Sequence, residues 1–150
     1  MSVTPDAPER SRDDCVFCRI VAGKERSDIL WEEDECLVFL PLAALNAGHL
    51  LVAPRAHYSS ILAVPDHLRG RLMDLGARLG GAVMRAVEAD GFNLLIDNGP
   101  CAGQVVRHAC MHVIPRFPTD GLVFPRRAVP PPDEGLLEKI RAQIERRLSE

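Results

Sequence analysis

Three side chains able to do chemistry alternate close to residue 110. His108, Cys110 and His112 occupy every second position of an apolar run, 105–114, that predicts a β-strand. Because alternate side chains of a strand point to the same face, these three are expected to line one wall. Imidazole exchanges protons near neutral pH, and a thiolate is both a nucleophile and a metal ligand. Ordinary partly buried histidines can have the same spacing, so the pattern alone leaves both interpretations open.

A second chemical pair, Cys15 and Cys18, lies near the N-terminus. The chain has five cysteines, an odd number, and this pair is too closely spaced for a disulfide that staples a scaffold, which favours a metal site or catalysis. Asp14 is expected to cap a short helix that continues to Ala22 and ends at Gly23, with both thiols in its first turn. The alternative is a pair of buried apolar thiols.

A turn with little side-chain bulk precedes the alternating segment. It contains Asn98-Gly99 and, a few residues later, Gly103-Gln104. Glycines let the backbone approach a ligand closely, and successive N–H groups of a turn can bind an anion. The turn is therefore a candidate anion site, although a plain hairpin loop would have the same composition.

The other elements must hold these groups in place. Short β-rich runs predict strands at 29–31, 36–40, 50–54, 94–96 and 105–114. Apolar residues recur at three- and four-residue steps between Asp66 and Ala89, which indicates an amphipathic helix. A further helix is expected from Asp133 to Leu148. This order of elements predicts an α+β domain around an antiparallel sheet.

Composition limits the partners of the chain. The 150 residues are 47% hydrophobic and carry a formal charge of −3, which suits one domain and gives no electrostatic reason to bind nucleic acid or an anionic membrane. No apolar run approaches the ~20 residues needed to span a bilayer, and the first residues lack the hydrophobic stretch of a signal peptide. A cytoplasmic location is therefore expected. Residues 1–13 are expected to form a disordered tail.

Four separate blocks of the sequence resemble the histidine-triad (HIT) family, in the family's order. They are 15–20, 48–57, 91–93 and 103–116. The last block resembles the family signature, in which Gly-Gln precedes three histidines that alternate with apolar residues, but Cys110 stands at the middle histidine. The resemblance covers a HIT-like domain at 14–118 and leaves 119–150 as a C-terminal arm and helix. It implies an antiparallel sheet with one long helix, a zinc-bound N-terminal short helix and a C-terminal helix.

The resemblance also implies a structural zinc ion. In zinc-bearing members, a pair of cysteines, the histidine that ends the second block and the first triad histidine bind the metal. The matching residues are Cys15, Cys18, His57 and His108. Two thiolates and two imidazoles form a closed tetrahedral set, which would attach the N-terminal helix to the sheet. Cys110 is a possible rival ligand.

In the family, the middle histidine attacks the α-phosphorus of a nucleotide conjugate, and here that position is Cys110. Sulfur lies one bond beyond Cβ, whereas the reactive imidazole nitrogen lies across a ring, so the same backbone would hold sulfur farther from the phosphorus. A thiol is mostly protonated at neutral pH, although a protonated His112 or His49 would lower its pKa. The implied catalytic set is Cys110, assisted by His112 and His49.

The substrate pocket departs from the family pattern at three further positions. Pro41 replaces an acidic residue that binds the ribose hydroxyls in many members, and proline offers no side-chain hydrogen bond. Asp97 replaces an asparagine near the scissile phosphate and would repel an anion, unless Asn98 compensates. Val105 stands where members often have Ser or Thr. The substrate-binding residues expected from the resemblance are Asp97, Asn98, Gly103, Gln104, Val105 and Arg107.

Three functions remain open at this point. The first is a divergent enzyme that acts on a small phosphorylated or nucleotide-like substrate through Cys110. The second is a catalytically silent domain that binds a nucleotide or a protein partner. The third is residual nucleotidyl hydrolysis or phosphoramidase activity, in which His112, a water or a repositioned group replaces the missing nucleophile. The resemblance also implies a homodimer that joins two sheets edge to edge beside the long helix.

Overall fold

The structure is a computed structural model, and it describes residues 12–124 and 129–149. Its helices are α1 (Val16–Val21), α2 (Asp66–Ala86) and α3 (Glu134–Leu148). Its strands are β1 (Ile29–Glu32), β2 (Cys36–Phe39), β3 (Leu50–Pro54), β4 (Gly91–Leu95) and β5 (Met111–Arg116). Most of the predicted tail, 1–11, and residues 125–128 of the C-terminal arm lie outside the described residues.

The five strands form one antiparallel sheet in the order β1-β2-β3-β5-β4. β5 lies between β3 and β4, so His112 is opposite Leu51 on one side and Leu95 on the other. A side chain at this position is held by two hydrogen-bonded neighbours rather than by a mobile edge. The antiparallel α+β fold predicted from the sequence is confirmed.

Both faces of the sheet are covered, which explains why β2 and β3 are apolar and buried throughout. Successive side chains of a strand point to opposite faces. Val52 and Met111 pack in the core beneath α2, whereas Leu51 packs with Ile20 of α1. Cys110 joins this second cluster, so the α1 face of the sheet carries the reactive side chains.

α2 packs closely on the sheet because a glycine stands on its buried face. Gly80 is buried, and an added Cβ at this position would collide with the ring of Phe92 on β4. The helix ends at Ala86 rather than at the predicted Ala89, because the chain turns at Glu88 with a φ of 55°. The short connection brings β4 back against α2.

The strand predicted over 105–114 begins only at Met111, so the prediction is wrong for 105–110. Pairing with β3 stops at this point. The Ala109 N–H donates to the Tyr58 carbonyl (2.6 Å), and the His108 ring lies 2.8 Å from the Pro54 carbonyl at the end of β3. A side chain therefore binds the end of β3 where a strand would have continued, which removes His108 from regular β geometry.

The N-terminal helix is also built differently from its prediction. Cys15, not Asp14, is the residue before the first helical turn, and it makes no side-chain capping hydrogen bond. The Asp14 carboxylate instead pairs with Arg12 (3.1 Å). At the other end, Gly23 has a φ of 70° and follows the helix as predicted. The helix is therefore anchored by its thiols rather than by a cap.

α3 is the predicted C-terminal helix. The Asp133 carboxylate caps it by accepting the Leu136 N–H (2.9 Å). None of its side chains is buried, and Leu136, Ile140 and Ile144 are exposed along one stripe. Among the helices of 12–124 and 129–149, none is long and apolar enough to cross a membrane.

Candidate functional site

A buried cluster of four metal-binding side chains joins α1 to the sheet. Cys15, Cys18, His57 and His108 are all buried, and their ligand atoms lie within 4.8 Å of one another. Cys18 Sγ is 3.2 Å from His57 Nδ1 and 3.7 Å from His108 Nδ1, and Cys15 Sγ is 3.5 Å from His108 Nδ1. Cys15, just before α1, and Cys18 within α1 supply the thiols, while the segments that follow β3 and precede β5 supply the imidazoles.

The donor set fits a tetrahedral zinc ion. Donors about 2.0–2.3 Å from a tetrahedral zinc lie roughly 3.3–3.8 Å from one another, which matches the separations between sulfur and nitrogen in the cluster. Two thiolates and two imidazoles leave no open position, so a metal held here would stabilise the fold. Burial raises the pKa of Cys15, which means that it disfavours the thiolate. A bound cation would offset this by stabilising the thiolate.

His108 is oriented as a metal ligand by a hydrogen bond from its other nitrogen. Its Nε2 lies 2.8 Å from the Pro54 carbonyl, which can only accept, so Nε2 carries the proton. Burial lowers the pKa of His108 to about 4, so the ring is neutral at neutral pH. Nδ1 therefore presents a lone pair to the two thiols, as the second coordination shell of a metal-binding histidine usually arranges.

A small cavity of about 120 Å³ opens beside the cluster. His108, Cys110 and His112 line it, together with Asp97, Gly103 and Gln104 from the turn. The three alternating side chains are thus brought together, although only His112 lies within a strand. Because His108 belongs both to this wall and to the metal cluster, the two sites share a side chain.

Cys110 is half-buried in this cavity and faces a carboxylate. Burial raises the pKa of Cys110 to about 12, and the negative charge of Asp97 adds to this increase. Asp97 makes no hydrogen bond to any other residue in the parts of the chain that the structure describes. The cavity therefore contains a neutral thiol and an acceptor group without a protein donor.

His112 is paired with His49, and the pair has a defined proton arrangement. The Leu45 N–H donates to His49 Nδ1 (3.1 Å), so this nitrogen is unprotonated. His49 Nε2 must then carry the proton of the neutral ring, and it donates to His112 Nδ1 (3.0 Å). Burial lowers the pKa of His49 to about 4 and also lowers the pKa of His112. Neutral His112 consequently carries its proton on Nε2.

A larger apolar cavity of about 320 Å³ adjoins the first. His112, Phe17 and Val105 line both cavities. Pro41 lies in the wall of the larger cavity, as does Glu25 from the segment after α1, whose carboxylate pairs with Arg19 (3.3 Å). Reactive groups at one end and an apolar chamber at the other form the usual layout of a small-molecule site.

Comparison with known proteins assigns the family. The HIT domain matches residues 22–119, which are more than half of the chain. The chain belongs to the HIT domain family. This family membership was predicted from the sequence blocks. The match begins after α1, so it includes neither Cys15 nor Cys18 of the metal cluster.

Individual HIT proteins extend the comparison. Adenylylsulfatase HINT3 of Arabidopsis thaliana is 37% identical over 111 residues, which are 74% of this chain but only 56% of that protein. A crystal structure from Streptococcus mutans has a TM-score of 0.81 at 33% identity and covers 92% of this chain and 87% of that one. A zinc-bound histidine triad protein from Mycobacterium smegmatis has a TM-score of 0.70 at 32% identity, covering 88% of this chain and 96% of that one.

Not all residues predicted to bind substrate line the small cavity. The Gln104 amide is used within the fold: its oxygen accepts the Gly99 N–H (2.9 Å) and its nitrogen donates to the Ser59 carbonyl (2.8 Å). Asn98 accepts the Ile61 N–H (3.0 Å) and does not line the small cavity. Arg107 lines a separate surface cleft beside the metal cluster. The turn thus contributes mainly Asp97 and its backbone.

Sequence reasoning did not single out the residues that fix His49. Leu45 acts through its backbone N–H, which no side-chain motif can reveal. Asn46 donates to the Pro115 carbonyl and to the Asp120 carboxylate, both at 2.9 Å. The only signal was a polar Asn46 close before Gly48-His49 in an apolar stretch, a turn signal that is common.

Proposed function

We propose that the chain is a divergent HIT-family enzyme that acts on a small nucleotide-like conjugate. The observation that carries this proposal is the position of Cys110, His112 and Asp97 in a small cavity that adjoins an apolar chamber. The chamber, about 320 Å³, lies in the size range of ligand pockets and could hold an aromatic ring. The name of the relative adenylylsulfatase HINT3 supports an adenylyl conjugate as the first substrate to test.

The apolar chamber suggests how a nucleoside would be held without an acidic residue at position 41. Pro41 offers no hydrogen bond, but Glu25 and Ser27 line the same chamber. The segment after α1 would therefore supply the polar groups that bind hydroxyls. Phe17 and Phe39, also in the wall, would contact the base through apolar and ring-stacking interactions.

The proton positions assign roles to the reactive groups. His112 carries its proton on Nε2 through its pair with His49, so it acts as a hydrogen-bond donor to an oxygen of the phosphoryl or leaving group. Asp97 is the carboxylate that faces Cys110, so it accepts the thiol proton. Cys110 Sγ then forms a bond to phosphorus, the bond from phosphorus to the leaving oxygen breaks, and water later hydrolyses the S–P bond.

Turnover through this route is expected to be slow. The ordinary pKa values of a carboxylic acid and a thiol differ by about 4.6, so moving a proton from a thiol to a carboxylate costs about 6 kcal/mol even without burial. The raised pKa of Cys110 adds to this cost. That cost is added to the barrier of the phosphoryl step. A covalent intermediate accumulates only if its hydrolysis is slower than its formation, so single-turnover measurements are the appropriate ones.

The test is intact-protein mass spectrometry after incubation with adenylyl sulfate, with release of AMP followed by chromatography. We expect an adenylyl adduct on the wild type and on Cys101→Ala, and no adduct on Cys110→Ala. Cys101 is the matched control because it is exposed in the neighbouring turn and does not line the small cavity. Equal AMP release by Cys110→Ala and wild type would contradict a role for Cys110.

A second candidate is a HIT domain that binds a nucleotide-like ligand without reaction. It is favoured by the charge of the cavity, since Asp97 is negative and the burial of His49 and His112 keeps both rings neutral, so no cation stabilises a thiolate. Binding of AMP in a calorimetric titration, with neither adduct nor AMP release from adenylyl sulfate, would support this candidate over the enzyme.

We propose zinc as the metal of the buried cluster. The Cys₂His₂ donor set, its burial and its sulfur–nitrogen separations of 3.2, 3.5 and 3.7 Å support zinc over magnesium or calcium, which prefer oxygen ligands. Bound zinc would supply structural stability by attaching α1 to the sheet.

Substituting one ligand tests the zinc site. Cys15→Ser is expected to reduce bound zinc and to lower the midpoint of thermal unfolding, because the metal binds the folded chain only. Cys110→Ala should keep both, since Cys110 lies outside the cluster. Metal analysis of the purified proteins provides the measurement, and equal zinc loss in both variants would mean that Cys110 is a ligand.

We also propose a homodimer joined at β4. This strand pairs with β5 on one side only and forms one end of the sheet. An exposed edge strand can pair with its copy across a two-fold axis. Sedimentation velocity of the full chain reports whether the dimer exists.

A further inference from the structure

The tautomer of His112 depends on one backbone N–H group. If the Leu45 N–H did not point at His49 Nδ1, either nitrogen of His49 could carry the proton. His112 would then be able to donate to His49 from Nδ1 and to present a lone pair, not a proton, from Nε2. The site would exchange a hydrogen-bond donor for an acceptor, with no change of charge or of side-chain position.

The turn that carries this N–H is short and encloses His49. The His49 N–H donates to the Asn46 carbonyl (3.1 Å), while the Leu45 N–H donates to the His49 ring. Gly48 has a φ of 84°, and a Cβ there would lie 3.1 Å from Val87 and 3.2 Å from Pro115. The backbone of the turn therefore lies directly against the end of β5.

Asn46 fastens this turn to the rest of the domain. Its side-chain nitrogen donates to the Pro115 carbonyl of β5 and to the Asp120 carboxylate, both at 2.9 Å. The two bonds use both protons of the amide, so the side chain is fixed in one orientation. They link the turn before β3 to β5 and to the C-terminal arm, 69 and 74 residues later in the chain.

The anchor at Asp120 is itself rigid. Its carboxylate accepts the Phe117 N–H (3.0 Å) and the Leu122 N–H (2.9 Å), and it pairs with Arg116 Nε (2.8 Å). The side chain is only 6% exposed. A carboxylate with this many donors keeps its position, and Asn46 is therefore held by a fixed partner rather than by a mobile surface group.

We propose that Asn46 is a positioning residue for the candidate site: by fixing the 45–49 turn to β5 and to Asp120, it sets the proton positions of His49 and His112. The effect of these proton positions on a reaction rests on the proposed function. The proton positions themselves do not, because they are present without substrate. Asn46 touches neither cavity wall. It acts through the Leu45 N–H and His49, and the donor at His112 Nε2 is the result.

The test uses ¹⁵N-histidine NMR of the full chain, in which the chemical shifts of the ring nitrogens report the tautomer of each neutral ring. In the wild type, the Nε2–H form is expected to dominate for both His49 and His112. Asn46→Ala should raise the Nδ1–H fraction of His112 several-fold, because the turn loses both anchors. Asp120→Asn should act in the same direction but more weakly, since the Pro115 carbonyl still accepts from Asn46.

The matched control is Glu33→Gln, which weakens a tie between Glu33 and Arg71 of α2 elsewhere in the fold. This variant should lose stability and keep wild-type tautomers. A wild-type tautomer of His112 in folded Asn46→Ala overturns the proposal, as does an equal change in Glu33→Gln. If Asn46→Ala does not fold, Asp120→Asn decides between the same outcomes. Loss of AMP release or adduct formation bears on the proposed function alone, because the NMR readout contains no substrate.

Discussion

At the scale of single residues, the surroundings of Cys110 matter as much as its identity. The thiol stands beside Asp97, a carboxylate without a protein donor, and beside His112, a neutral ring with its proton on Nε2. The cavity thus offers one acceptor and one donor but no cation. We therefore expect the cavity to bind a ligand with a hydrogen-bond donor next to its reacting atom more tightly than a fully ionised phosphate.

Asp97→Asn separates the two roles that this carboxylate has in the site. We expect tighter binding of inorganic phosphate and of AMP, by roughly tenfold if one like charge at several ångströms is removed. We also expect less adduct on Cys110, because the proton acceptor is lost. Isothermal titration and intact mass give the two readouts. Unchanged phosphate affinity would show that Asp97 does not face the bound anion.

The residues of the site were predictable to different degrees. The four donors of the metal cluster could be named because the order of sequence blocks resembles a family with known ligand positions, and the structure brings them within contact distance. Substrate binding by Gln104 stays a prediction: the residue lines the small cavity, and its amide also bonds to the Gly99 N–H and the Ser59 carbonyl. The contribution of Leu45 could not be foreseen, because it comes from a backbone N–H that any residue would supply.

At the scale of elements, the distance between α2 and the sheet is set by glycine. Gly80 leaves room for the Phe92 ring of β4, whereas its neighbour Gly81 has only Arg85 near the position of an added Cβ, at 3.6 Å. The two adjacent glycines are therefore expected to have opposite effects on the stability of the fold. One is required by packing, and the other only weakens the helix.

Substituting both glycines by alanine provides a matched comparison. Gly80→Ala is expected to lower the free energy of unfolding by about 1–3 kcal/mol, because the methyl group overpacks against Phe92. Gly81→Ala should raise it by roughly 0.5–1 kcal/mol through the higher helix propensity of alanine. Urea unfolding followed by circular dichroism measures both values. Stabilisation by Gly80→Ala would show that α2 is not held against β4 at this position.

Prediction of secondary structure from the sequence failed between residues 105 and 110. The strands before it were found because β-rich apolar runs are bounded by turns, and the period of α2 was plain over many residues. The segment 105–110 has the composition of a strand, but His108 turns towards Cys15 and Cys18 and its Nε2 binds the end of β3. A tertiary interaction of one side chain overrode local propensity, and composition alone does not contain that interaction.

At the scale of the whole molecule, stability is expected to fall with pH in two successive windows. His49 has a folded pKa of about 4, below its ordinary value of 6.5, so the unfolded chain takes up a proton first and stability decreases between pH 6.5 and 4. Asp120 has a pKa held well below 3.8, chiefly by Arg116. Its contribution is present above 3.8 and is lost at lower pH.

Two variants test which residue causes the loss of stability in each pH interval. The part of the first loss that His49 contributes is on the order of 3 kcal/mol for a pKa lowered from 6.5 to about 4. His108, whose pKa is also lowered to about 4, contributes in the same interval, so His49→Gln should reduce the slope of unfolding free energy there without removing it. Asp120→Asn should flatten the slope below 3.8 and leave the upper interval unchanged. Chemical unfolding at a series of pH values provides the slopes. A wild-type slope between pH 6.5 and 4 in His49→Gln would assign that loss to other histidines.

α3 has a consequence for the time scale on which parts of the chain open. None of its side chains is buried, so its fifteen residues depend on local bonds such as the Asp133 cap, and isolated helices of this length are marginal in water. Amide hydrogens of α3 should exchange with deuterium within roughly a hundredfold of the rate in an unstructured peptide, whereas those of β5 wait for global unfolding. Because α3 loses few buried contacts when it unfolds, it can refold and pack against another surface at little cost in free energy.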